Sequence, residues 1–248
     1  MSDFAERRIP TGPDVGQGTP TMRGENIAGA GLNCRDDRVT ERKGDWIQLI
    51  SGEPFWPLDA RPEEVRIDDI AWALSMQCRY AGHVRRRYSV GEHSVMVSRL
   101  VPVEHALWGL LHDASEAYLV DLPRPVKSVM PDYQAYENAL MRVIAERFGL
   151  PWPEPAEVKR ADTDMLWIER AQLLAKPRRR WEFPQGGEPT GPVAAMRLPC
   201  WSPYAAYRAF LARYRELTGE SAYPVPGRQF AGSDAALSAA DPSIGVTG

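Results

Sequence analysis

Imidazole and carboxylate groups lie within stretches whose helical pattern otherwise calls for apolar residues. Asp162 comes four residues after Val158 and three before Met165, so helical geometry directs it into the apolar stripe. His93 lies in the same way, one turn after Val90. A buried carboxylate is costly unless another group pairs with it. Both positions therefore indicate a partner for these side chains inside the fold.

A second polar group follows directly on an apolar run in the segment LLHDASE. His112 and Asp113 come after Leu111, and Glu116 returns one helical turn later, three residues after Asp113 and four after His112. Imidazole nitrogen and carboxylate oxygen suit divalent zinc, manganese, iron, cobalt or nickel. The spacing predicts one patch of groups able to bind a metal or move a proton.

Each of these signals has a structural alternative. A single histidine on an apolar helix is more often a satisfied core residue, and a His-Asp dipeptide occurs by chance in many chains. Structural ion pairing would need inward basic residues to neutralise the carboxylates, and too few are present. Two inward histidines and two inward carboxylates on three helices therefore favour a functional site.

The order of these residues resembles the H...HD...D signature of the HD-domain phosphohydrolases. The similarity extends over about residues 45 to 217 and includes IDDIAWALSMQCRYAGHVRRRYSVGEHS, LLHDASEAYLVDLPRPVKSVMPDYQAYE and VKRADTDMLWIERAQLL. These segments are similar to the subgroup of 5′-deoxynucleotidases and phage-type deoxynucleotide triphosphohydrolases, which includes dATP-hydrolysing enzymes. The resemblance implies a divalent metal cofactor (Mn, Co, Zn, Ni or Fe, with Mg a candidate second ion) and four ligands: His93, His112, Asp113 and Asp162.

The resemblance also implies catalytic and substrate-binding residues. It places the catalytic glutamate at Glu116 in HDASEAYLVD, with Asp121 as a helper whose alternative is a turn carboxylate before LPRP. In the similar deoxynucleotidases an arginine near Arg79 holds the phosphate, and its aromatic neighbour, here Tyr80, packs against the sugar. The structural alternative is that Arg79 caps a helix end and Tyr80 fills the core.

Three more residues are candidates for substrate binding. Lys127 in DLPRPVK and Lys159 in VKRAD could each place a point charge against a phosphate, although Lys159 could equally face solvent. His83 could orient a ligand by a hydrogen bond, and its alternative is to satisfy backbone groups.

Helices must position these residues, and the apolar pattern predicts where they lie. The segment GDWIQLISGEPFWPLD first predicts a small β-hairpin, because its Trp, Ile and Leu residues favour extended chain. The pattern predicts an all-α helical bundle with a small N-terminal hairpin, and the resemblance implies that this bundle is an HD domain. Apolar residues recur at helical spacing from Ile67, from Val90 to Val101, from Glu104 to about Val120, from Tyr133 to Phe148, from Glu157 to Leu174 and from Pro203 to Leu217.

Composition limits the setting of this domain. Residues 1–43 and 219–248 lack apolar periodicity, so we expect disordered tails around one HD domain at residues 44–218. A net charge of −3 and a pI near 5.9 leave no basic footprint for long nucleic acid. Three separated cysteines, with neither a signal peptide nor a long apolar run, favour a cytoplasmic protein without a membrane partner. Analogy with related helical phosphohydrolases suggests a homo-oligomer.

These observations predict a metal-dependent phosphoric ester or anhydride hydrolase that acts on a small nucleotide. The resemblance implies a deoxynucleotide: a dNTP such as dATP, with release of triphosphate, or a monophosphate, with release of phosphate. One alternative is hydrolysis of another phosphate ester, such as an alarmone or a cyclic nucleotide. The other is a catalytically inactive nucleotide-sensing module. Such a module is expected to lack one of the metal ligands or the catalytic glutamate, whereas this chain has suitable residues at all four ligand positions and at Glu116.

Overall fold

The structure is a computed structural model, and it describes residues 42–179, 181 and 188–220. Within this part the chain is mostly helical with one small antiparallel sheet, as predicted. The predicted tails lie outside the described residues, apart from residues 42–43 and 219–220. None of the helices described is both long enough and apolar enough to cross a membrane.

A two-stranded hairpin begins the described chain and confirms the prediction. Strand β1 (Ile47–Gln48) pairs antiparallel with β2 (Pro54–Phe55). Gly52 between them has φ +91°, a left-handed conformation that favours glycine. Phe55 is fully buried and stacks on Tyr118 with 4.0 Å between the ring centroids, which fastens the hairpin to the helices.

Five long helices and four short ones follow the hairpin in the described part of the chain. The predicted helices that correspond to α1, α2, α6, α7 and α9 are confirmed, with ends that differ by a few residues, whereas α5 and α8 are short helices that the pattern does not predict. In chain order the helices are α1 (Ile67–Met76), α2 (Val90–Leu100), α3 (Ala106–Leu111), α4 (Glu116–Leu119), α5 (Arg124–Lys127), α6 (Pro131–Arg147), α7 (Ala156–Leu173), α8 (Gly191–Ala195) and α9 (Pro203–Thr218).

Helix α2 lies at the centre of the fold. Every residue from Val90 to Ser98 is buried, and α1, α3, α7 and α9 pack around it. Gly109 allows α3 to approach α2 closely, because a Cβ at that position would lie 3.0 Å from the Cα of Ser98. The central position of α2 puts His93 in the interior, with no exposed surface.

One predicted helix is wrong in its continuity. The pattern predicts a single helix from Glu104 to about Val120, whereas the structure has a 3-10 turn, α3, a turn at residues 112–115 and α4. In that turn the N–H of Glu116 bonds at 3.0 Å to the carbonyl of Asp113, three residues earlier rather than four. The tighter winding therefore interrupts the α-helix directly at His112.

Candidate metal centre

Three separate elements bring the four predicted ligands together. His93 comes from α2, His112 and Asp113 from the turn after α3, and Asp162 from α7. The Nε2 atoms of the two histidines are 3.2 Å apart, and His93 Nε2 is 3.3 Å from Asp162 Oδ1. Asp113 Oδ2 is 3.1 Å from His112 Nε2 and 3.7 Å from His93 Nε2. The four side chains therefore meet at one point of the fold, as their inward positions predict.

This donor set could hold a metal ion. Ligand atoms of His93, His112 and Asp162 all lie within 4.8 Å of one another. Two nitrogen ligands of a tetrahedral metal at about 2.0–2.1 Å are roughly 3.3 Å apart. The distance between the two Nε2 atoms is 3.2 Å, which matches that spacing. The residues present therefore fit a metal held by the two imidazoles and the carboxylate of Asp162, with Asp113 Oδ2 beside both Nε2 atoms.

In both histidines of the cluster, His93 and His112, the Nδ1 atom points away from the cluster and faces a hydrogen-bond acceptor. His112 Nδ1 is 2.9 Å from the carbonyl oxygen of Gly109, and His93 Nδ1 is 2.5 Å from Oε1 of Glu169. A proton on Nδ1 that is donated outward leaves the lone pair of Nε2 directed at the cluster. Both rings are therefore oriented as metal-binding histidines are.

Opposite charges within the cluster perturb its titration. Burial raises the pKa of Asp113, but His112, His93 and Arg79 together outweigh burial and hold the pKa well below its ordinary value. Burial is likewise outweighed at Asp162, where the hydrogen bond to His93 lowers the pKa. Burial lowers the pKa of His112, whereas Asp113 raises it, to about 9 overall. The imidazoles thus hold protons that a bound cation would displace.

Glu116 lies near the cluster with one buried, unpaired oxygen. The residue is 6% exposed, and its Oε2 has no hydrogen-bond partner among the described residues. Its Oε1 is 3.5 Å from Lys127 Nζ, which is 2.6 Å from Glu137 Oε1. Burial first, and then the charges of Asp113 and Asp121, raise the pKa of Glu116 well above its ordinary value. Such a carboxyl binds a proton tightly, which is typical of general acids and bases.

A cavity of about 250 Å³ lies against this cluster. His112, Asp113, Asp162 and Glu116 line it together with Trp108, Trp152 and two lysines. Lys127 is one of these, and Lys159 is the other, with a side chain that is 71% exposed and an Nζ 3.5 Å from Asp162 Oδ2. Aromatic walls with a few placed polar groups are typical of small-molecule sites. The cavity can therefore take a small anionic ligand beside the cluster.

The predicted phosphate-binding Arg79 contacts the cluster rather than a helix end. Its Nη1 is 3.4 Å from Asp113 Oδ2, and its Nε is 3.1 Å from Glu169 Oε2. The last carbonyls of α1 instead accept hydrogen bonds from Arg87, at 2.6 and 2.9 Å. The helix-capping role that is the alternative for Arg79 thus belongs to another arginine.

The other predicted residues do not line the cavity. Tyr80 donates its hydroxyl to Glu169 Oε2 at 2.6 Å, and His83 is exposed. Burial raises the pKa of Asp121, and the charge of Arg79 partly offsets this. Arg79, Tyr80, His83 and Asp121 are not among the residues that line the cavity. Their roles toward a substrate stay predictions.

Two acidic residues of this site are absent from the sequence-based prediction. Glu169 is fully buried against His93, and Glu154 lines the cavity, where burial raises its pKa and His112 lowers it. Glu169 follows Asp162 by seven residues, so the helical spacing that identifies Asp162 puts Glu169 on the same face. Glu154 precedes α7 in a loop, where no periodicity applies.

Comparison with known proteins identifies bacterial relatives. The chain is 38% identical to the uncharacterized protein YfdR of Escherichia coli K12 over 173 residues, which are 70% of this chain and 96% of YfdR. It is 36% identical to the uncharacterized protein RCAP_rcc00048 of Rhodobacter capsulatus over 145 residues, which are 53% of this chain and 74% of that relative. No protein-family model matches the chain.

Proposed function

The chain belongs to the family of the Escherichia coli protein YfdR, and we propose that it is a metal-dependent phosphohydrolase of the HD superfamily that acts on deoxynucleotides. One observation carries the proposal. The Nε2 atoms of His93 and His112 lie close to the carboxylates of Asp113 and Asp162, beside a cavity that two lysines line. The resemblance of the H...HD...D order to HD phosphohydrolases supports the same conclusion.

His93, His112, Asp113 and Asp162 are the proposed ligands of one divalent cation, with manganese, cobalt, zinc, nickel and iron as candidates and magnesium as a candidate second ion. When bound, such a cation neutralises charge on a phosphoryl group and lowers the pKa of water. The two carboxylates attract the cation, and their depressed pKa values keep them ionised at neutral pH.

Glu116 is the proposed proton-handling group. Its unpaired Oε2 belongs to a residue that lines the cavity, so it can accept a proton from a water molecule that attacks phosphorus. Burial and the neighbouring charges of Asp113 and Asp121 raise its pKa and so favour the protonated form. That form can then donate the proton to the leaving oxygen. Asp121, whose pKa burial also raises, is the proposed helper.

Positive charge around the cluster supports a phosphate-bearing substrate. Lys127 and Lys159 line the cavity. Arg79 forms ion pairs with both Asp113 and Glu169. Each cation can offset phosphate charge in a site otherwise rich in carboxylates. The choice of a deoxynucleotide, whether a dNTP such as dATP or a monophosphate, rests on the resemblance, which also makes Tyr80 the proposed contact of the sugar.

The test is a hydrolysis screen with identified products. Protein stripped of metal is reloaded with each candidate ion and assayed against dNMPs, dNTPs, NTPs, cyclic nucleotides and alarmones by ³¹P NMR and chromatography. We expect turnover of a deoxynucleotide, with release of phosphate or triphosphate. Turnover of an alarmone or cyclic nucleotide alone would redirect the substrate class, and nucleotide binding without turnover under every metal would contradict an enzymatic role.

A matched pair of substitutions separates the proposed roles. Asp113→Asn and Glu116→Gln each replace one carboxyl group by an amide with little change of shape. We expect Asp113→Asn to lose metal and activity together, and Glu116→Gln to keep its metal while kcat falls about 10²- to 10⁴-fold. Metal content by elemental analysis and kcat are measured on the same samples. Equal loss of metal in the two variants would refute this division of roles.

A further inference from the structure

We infer that Glu169 is a positioning residue that holds the His93 ring with its Nε2 toward the cluster, an inference that rests on the proposed function because it requires a metal at that cluster. Glu169 lies on α7 seven residues after Asp162 and has no exposed surface. It stands behind His93, on the side of the ring opposite His112 and Asp162.

The contacts of Glu169 are those of an orienting group. Its Oε1 is 2.5 Å from His93 Nδ1, and its Oε2 accepts hydrogen bonds from Tyr80 at 2.6 Å and from Arg79 at 3.1 Å. A carboxylate that accepts the Nδ1–H of a histidine fixes both the tautomer and the ring plane, and leaves the Nε2 lone pair for a metal. His93 Nε2 is accordingly 3.2 Å from His112 Nε2 and 3.3 Å from Asp162 Oδ1.

A distorted backbone turn supports Glu169 from its other side. Arg79 and Tyr80 begin a 3-10 turn in which Tyr80 has φ +58° and Ala81 has φ +50°. Two successive non-glycine residues in the left-handed region are a strained arrangement that needs specific anchors. The hydrogen bonds of Arg79 and Tyr80 to Glu169 supply such anchors, so the turn and α7 hold the carboxylate between them.

Burial of this charge also argues for a role beyond packing. A fully buried carboxylate loses its hydration, and apolar residues of similar volume often stabilise a core as well as an ion pair does. Arg79 offsets the charge, and His93 and Tyr80 donate hydrogen bonds to the two carboxylate oxygens. The orientation of His93 is the feature that a nonpolar replacement could not provide.

The test is metal affinity, with a control on the same helix. Metal-free wild-type protein, Glu169→Gln and Glu157→Gln are titrated with zinc and with manganese by calorimetry, and folding is checked by circular dichroism. Glu157 lies in the first turn of α7, with its side chain 41% exposed and its Oε2 3.8 Å from His105 Nε2. We expect Glu169→Gln to weaken metal binding about 10- to 100-fold, and Glu157→Gln to bind as the wild type does. Metal affinity of folded Glu169→Gln equal to that of the control would overturn the inference.

A second measurement leaves Glu169 in place and holds even if Glu169→Gln does not fold. Long-range ¹⁵N correlation NMR of the zinc-loaded protein reports which ring nitrogen of each histidine carries the proton. The chain has four histidines, and His83→Asn and His105→Asn remove the signals of the two outside the cluster. We expect His93 to show a protonated Nδ1 and a metal-bound Nε2. A protonated Nε2, or metal on Nδ1, would overturn the inference.

The two proposals fail in different ways. A wild-type protein that binds neither zinc nor manganese contradicts the proposed function itself. A wild-type protein that binds metal, with Glu169→Gln binding equally well, contradicts only the role of Glu169.

Discussion

The close approach of α3 to α2 allows a stability prediction for Gly109→Ala. A Cβ at Gly109 would lie 3.0 Å from the Cα and 3.2 Å from the N of Ser98, and 3.1 Å from Cγ2 of Val101. Ordinary carbon contacts are about 3.5–4.0 Å, so the two helices must separate by several tenths of an ångström. Because two of the three obstructing atoms are backbone, no side-chain rotation relieves the contact.

The magnitude follows from two opposing contributions. Overpacking of a core costs about 1–3 kcal/mol, and the rigid backbone neighbours put this site near the upper end. Alanine gains about 1 kcal/mol over glycine in helix propensity. The net loss is about 2 kcal/mol, which at roughly 2–4 °C per kcal/mol for a chain of this size lowers Tm by about 4–8 °C.

Thermal and urea unfolding followed by circular dichroism measure this loss, with Ala139→Gly as calibration. Ala139 is exposed on α6, so its substitution reports the propensity contribution alone, expected as a loss of about 1 kcal/mol. Because α3 leads into His112, Gly109→Ala should also weaken metal binding. A Tm for Gly109→Ala equal to or above that of the wild type would refute the close-approach argument.

Two further substitutions test buried acidic residues away from the cavity. Burial raises the pKa of Asp68 from 3.8 to about 6, and its Oδ1 has no partner among the described residues. Between about pH 4 and pH 6 the unfolded chain loses this proton while the folded chain keeps it, so wild-type stability falls as pH rises through that window. Asp68→Asn should therefore be more stable than the wild type above pH 6 in urea unfolding, with the difference vanishing below about pH 4; a constant difference at all pH values would contradict the assignment. Glu92 accepts the N–H groups of Cys200 at 2.7 Å and Trp201 at 2.8 Å, so Glu92→Gln turns an amide donor toward one of them and should cost about 1–3 kcal/mol, measured by the same method. An unchanged free energy of unfolding for Glu92→Gln would show that these bonds do not hold the segment before α9.

The long helices are predictable because each buries an apolar face. Those of α1, α7 and α9 pack against α2, and α6 buries Leu140, Met141, Ile144 and Ala145. This pattern reaches its limit at residues 112–115, since Leu111, Ala114 and Tyr118 continue the helical spacing through a turn that breaks the helix. Burial alone cannot distinguish a continuous helix from two pieces that bury the same residues. The short helices α5 and α8, of four and five residues, offer too few positions for any period to show.

The proposed ligands are predictable for a related reason, since polar residues on an apolar face contradict their surroundings. His93 and Asp162 stand out in this way, and Glu169 obeys the same spacing as Asp162. The conformation of Tyr80 does not follow from local sequence, because non-glycine residues rarely adopt positive φ. The partner of its hydroxyl, Glu169, lies 89 positions further along the chain. Contacts over such a distance depend on the tertiary fold.

The most direct test of the central claim is a titration of activity with metal. Protein stripped by a chelator should not hydrolyse its deoxynucleotide, and the rate should rise with added manganese or zinc until the ligand set of His93, His112, Asp113 and Asp162 is filled, near one ion per chain. Asp162→Asn should require far more metal for the same rate. A hydrolysis rate that is the same in stripped and reloaded protein would contradict the account.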